Sequence, residues 1–149
     1  MTTWDDIIAA VGVAVAGHTD DGRRELTACW ERTSEADYAQ RCVIAHYLAD
    51  LQPHLGDEVG WDEQALQAYP HLTDEDLAPI GIPAARGLAP SLHLNLGDGY
   101  LRQGRLADAH TQLVAGLAAE DALGDDGYGR LIRQGLAGLQ ERITAKETR

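Results

Sequence analysis

The sequence predicts an all-α protein of about seven helices. Apolar residues recur at helical spacing over most of the 149 residues, the mark of amphipathic helices. Strand signals are sparse, with no Phe, no Asn-Gly hairpin turn and little β-branched alternation. Caps and breakers such as Thr3, Ser34, Pro53 and Pro70 stand where the periodic stretches begin and end. The length fits one domain, read as residues 1–143 with a frayed, charged tail over 144–149.

The first helix spans about 4–16, with Thr3 as its cap and Asp5 and Asp6 in its first turn. Its apolar run, Ile7 to Ala16, lacks the positive segment that opens a secretory signal. A cytoplasmic protein is therefore expected. The second helix covers about 21–32, with Leu26, Cys29 and Trp30 apolar. The third begins after Thr33-Ser34, and Ser34 has capping-box spacing to Asp37, with Asp in place of the usual Glu. Tyr38, Cys42, Ala45 and Ala49 form one of its stripes, and Ile44, Leu48 and Leu51 a second. A helix apolar on two sides is sandwiched between neighbours. The fourth runs over about 58–69, where Glu58, Asp62 and Glu63 read as first-turn acids. A loop rich in Pro and Gly fills 72–89, with Thr73-Asp74-Glu75-Asp76 able to cap one turn. The fifth and sixth helices cover about 90–103 and 106–120. The seventh, about 125–143, carries Tyr128, Leu131, Ile132, Leu136, Leu139 and Ile143 on one stripe and charges on its outer face, as a capping helix would.

The net charge is −12, from 24 acidic and 12 basic residues. That argues against a basic nucleic-acid footprint and against docking on anionic lipid. No apolar run is long enough to span a membrane. No Lys or Arg occurs between Arg41 and Arg86, while Asp50, Asp57, Glu58, Asp62, Glu63, Asp74, Glu75 and Asp76 all do. Cys29 and Cys42 read as reduced, buried thiols. No P-loop, Gly-x-Ser-x-Gly, His-Glu-x-x-His or Cys-x-x-Cys is present, so neither a cofactor nor a resident metal is expected.

A repeat is visible. Leu48-Ala49-Asp50 followed by Gly56 matches Leu96-Gly97-Asp98 followed by Gly104 at an offset of 48 residues. In the later copy Leu96, Gly97, Tyr100, Gly104, Ala109 and Leu113 fall at the spacing of the tetratricopeptide repeat, TPR. Gly97 and Ala109 are small where two helices must approach closely, and Tyr100 and Leu113 fill the space beside them. The earlier copy diverges, with Trp61 where the motif has a small residue. Arg41 to Asp50, with Trp61-Asp62 and Ser91 to Asp98, resembles uncharacterised actinobacterial TPR-like proteins. The resemblance implies an antiparallel array of TPR-like helix pairs closed by a C-terminal capping helix.

It also implies a concave groove lined by the first helix of each pair. The third helix would present His46, Tyr47, Asp50 and His54, and the fifth Ser91, Asn95, Asp98 and Arg102. TPR grooves that clamp a terminal carboxylate use Lys, Asn and Arg. Here Asp50 and Asp98 at equivalent places would repel one, so the groove should prefer a cationic group. The expected function is a non-catalytic module binding a basic protein or peptide segment, with no nucleic-acid or membrane partner. The alternative is a small enzyme in which Asp50 orients His46, one helical turn away, as a base while Asn95 or Asp98 places a substrate, or a protein that holds a divalent cation through His46, Asp50, Asp98 and His93. The first helix, with Ile7, Ile8, Val11 and Val15 and no polar outer face, also suggests a homodimer.

Overall fold

The computed structural model describes residues 1–148. The described chain is all-α, with seven α-helices, short 3-10 turns and no strand. None of these helices is long and apolar enough to cross a membrane. The residues divide into two compact units, Met1–Ala84 and Ala85–Arg149.

The first unit contains α1 (Trp4–Val15), α2 (Thr19–Glu31), α3 (Tyr38–Asp50) and α4 (Leu55–Ala68). Thr3 caps α1 as expected. The Asp6 N–H donates to Thr3 Oγ1 at 3.1 Å and the Thr3 N–H to Asp6 Oδ2 at 3.0 Å. The Thr3 N–H, and then the Thr3 hydroxyl beside it, hold the Asp6 carboxyl below its usual range. The Ser34–Asp37 pair behaves differently from the expectation. The Ser34 N–H donates to Asp37 Oδ2 at 2.8 Å, but the bond closes a turn before the helix, and α3 begins only at Tyr38. Thr73 and Asp76 repeat the device in the loop after α4.

α3 is buried on two sides, through Cys42, Val43, Ile44, Ala45, Leu48 and Ala49. It packs on α4 along its length and also meets α1 and α2. Burial leaves both cysteines free and pushes the Cys42 thiol up to about 12. α1 and α2 approach so closely at Gly22 that a Cβ there would lie 2.8 Å from the Ala14 Cα. Part of the Pro-rich loop packs inward rather than staying open: Leu77 is fully buried in the core of this unit.

The second unit opens with a 3-10 turn, Ala85–Leu88, followed by α5 (Ala89–Arg102), α6 (Leu106–Ala118) and α7 (Gly127–Glu147). Gly104 turns the chain between α5 and α6 at φ +77°, a conformation that disfavours side chains. The small residues of the repeat are needed here, though for more than the two helices of the pair. A Cβ on Gly97 would stand 2.9 Å from Leu139 Cδ2 of α7 and 3.3 Å from Gln112 Cβ of α6. One on Gly116 would stand 2.8 Å from Leu136 Cδ2. α7 therefore packs into both members of the pair.

Its N-cap is Asp126, whose Oδ1 accepts the Gly129 N–H at 2.8 Å. The buried stripe is Ile132, Leu136, Leu139 and Ile143. Leu131 lies about 100° around the helix from Ile132 and is 63% exposed, so it leaves the expected stripe, as does Tyr128 at its edge. α7 also outlasts its expected end at 143. Ile143 is buried and His110 Nδ1 lies 3.4 Å from Glu147 Oε1, so 144–147 is helical rather than frayed. The end of the expected tail, Arg149, lies outside the described residues.

Candidate functional site

The sequence placed its candidate residues on α3 and α5, which belong to different units. On α3, His46 and Tyr47 are half-buried with their rings edge-to-face, centroids 5.6 Å apart. Asp50, one turn on from His46, is exposed. Burial pushes the His46 imidazole down to about 4, because a low-polarity surrounding disfavours the charged ring. At neutral pH the ring is therefore uncharged. His54 is exposed and precedes α4 without capping it.

On α5 the four candidates separate. Ser91 is buried, 3% exposed. Its hydroxyl donates to the Leu88 carbonyl at 3.1 Å and accepts from the Tyr128 hydroxyl at 2.9 Å. Ser91 thus joins α5 to α7 inside the unit rather than lining a groove. Asn95 is half-buried. Asp98 is held by two guanidinium groups: Arg102 Nε donates to Oδ2 at 2.9 Å and Arg142 Nη1 to Oδ1 at 2.7 Å. Two guanidinium groups beside one carboxylate offset its negative charge. Arg142 of α7 was missed because helix periodicity marked it only as an outer-face charge.

His93 has its Nδ1 2.8 Å from Gln112 Oε1. Trp61 packs edge-to-face on Trp30 with centroids 4.9 Å apart, and Arg41 lies over the Trp30 ring. Asp62 is not a first-turn acid. α4 begins at Leu55, which places Asp62 two turns in, and it is buried. Among the described residues no group of three or more His, Cys, Asp or Glu side chains could hold a metal ion.

Charge and apolar surface mark the first unit. Residues 1–84 hold 16 Asp and Glu against four Arg, a net of −12, whereas 85–149 hold eight acidic against eight basic residues. The entire charge excess of the chain therefore belongs to α1–α4 and their loops. The same unit has an apolar cleft of about 380 Å³ walled by Ile7, Ile8 and Val11 of α1, Val43 and Tyr47 of α3, and the turn around Ile80. The only sequence sign of this cleft was the missing polar face of α1. That Ile80 would return to α1 could not be read from a Pro-rich loop. No protein-family model, curated protein or solved structure matches the chain.

Proposed function

We propose that this chain is a non-catalytic binding module, cytoplasmic, that takes a basic protein or peptide segment on the surface of its first unit. The observation that carries the reading is the partition of charge, −12 in residues 1–84 and zero in 85–149. A surface of one sign attracts segments of the other and excludes nucleic acid and anionic membrane. The two tight hairpins α3–α4 and α5–α6 support a TPR-like origin of the scaffold. The free, buried Cys29 and Cys42 suit a reducing compartment.

The small-enzyme alternative would use His46 as its base. A ring held at about 4 is a weak base at neutral pH, far from the matched value that general-base catalysis favours. Asp98 is already engaged by Arg102 and Arg142, one on each oxygen.

The test is binding of the whole chain to fluorescent oligolysine and oligoglutamate peptides across salt. Salt is raised from about 0.01 M to about 1 M, taking the Debye length from about 30 Å to about 3 Å. Oligolysine should bind and weaken steeply with salt. Equal binding of oligoglutamate, or no response to salt, would overturn the reading.

A further inference from the structure

The apolar cleft is more than a gap in the packing. Ile8 is 46% exposed and Val15 is 76% exposed. With the half-buried Val11 they recur at i, i+3 and i+7 along one face of α1. This strip runs about 10 Å, two turns of helix, out of a cleft of about 380 Å³. Single exposed apolar side chains are ordinary, but a row continuous with a cleft suits an elongated occupant. Acids flank it. Asp5 precedes Ile8 by three residues and Asp50 follows Tyr47 by three, so each carboxylate shares a helix face with a residue of the cleft wall. Asp74 and Glu75, both exposed, lie in the turn leading to Ile80.

We infer that this cleft is the anchoring site for one face of a short amphipathic helix from a partner, apolar on that face and bearing Lys or Arg on its flanks. The inference rests on the binding-module reading and specifies its partner. Charge complementarity selects this occupant. A second copy would bring another unit of net charge −12 against the first, which disfavours the homodimer expected from α1. An acidic segment meets the same repulsion. Helix-in-groove recognition then supplies the affinity, with apolar anchors spaced at i, i+3 or i+4, and i+7.

The test compares two synthetic peptides of equal length and equal Lys content, one with Leu along a single helical face and the other with Gln at those positions. The whole chain should bind the Leu/Lys peptide about tenfold more tightly, the worth of roughly one newly buried aliphatic side chain. Ile8→Ser should erase that gain. Val15→Ser, at a position already open to solvent, should fold as the parent does and lose a smaller part of it. Val114→Ser, an exposed valine on α6, should lose none. Equal affinities for the two peptides, or a gain that survives both Ile8→Ser and Val15→Ser, would overturn the inference while basic binding stands. Failure of both peptides to bind would overturn the module reading as well. Sedimentation showing a dimer that Ile8→Ser dissolves would mean that a second copy occupies this face, and the inference would fall.

Discussion

His46 gives this protein a specific dependence on acid. Its ring titrates at 6.5 when free and at about 4 in the folded chain. The lowered value means that the unfolded chain takes up the proton first. Stability is full above pH 6.5 and is lost as pH falls from 6.5 toward 4. Between about pH 7 and about pH 5 the loss is roughly 2 kcal/mol, and it approaches about 3 kcal/mol near pH 4. Asp6 and Asp76 also have lowered carboxyl values, from 3.8, so what they contribute disappears only below that range. Urea unfolding of the parent and of His46→Gln, followed by circular dichroism at several pH values, isolates the imidazole, because every other titrating group is common to both. The parent should lose about 2 kcal/mol more than the variant between the two pH values. An identical pH slope for the two proteins, or an imidazole whose NMR shifts titrate near 6.5, would refute the reasoning.

Other substitutions follow from the packing. Gly22→Ala should destabilise by about 1–3 kcal/mol, since its Cβ would meet Ala14 backbone atoms that cannot move cheaply. Gly12→Ala has open space around it and should stabilise by about 0.5–1 kcal/mol through helix propensity. Thermal or denaturant melts of the two variants should therefore shift in opposite directions. Tyr128→Phe removes the donor to the buried Ser91 hydroxyl and should cost about 1 kcal/mol. The double variant with Ser91→Ala should cost less than the sum of the two single changes. Asp98→Asn weakens the bridge from α5 to Arg142 on α7. Being partly exposed, it should cost no more than about 1 kcal/mol at low salt and less at high salt, read from urea midpoints.

Some features were legible in the sequence because their causes are local. Helix number follows from apolar periodicity, and the α1 start from the three-residue spacing of Thr3 and Asp6, which their reciprocal bonds require. Gly97 and Ala109 announced a close helix pair because only small side chains permit one. The same local spacing does not always mark a helix start. The spacing of Ser34 and Asp37 is as good as that of Thr3 and Asp6, yet it closes a turn rather than opening a helix.

The sequence by itself determined the all-α class, the main helices and the total charge of −12. Those depend on residue type and short-range spacing. Tertiary structure decided what the candidate residues can do. It placed Arg142 against Asp98, forty-four residues away. It buried Ser91 beneath Tyr128, and it removed the charge of His46 through burial. It also assigned the whole charge excess to the unit that carries the apolar cleft. Burial and long-range pairing are properties of the packed chain, and no window of sequence contains them.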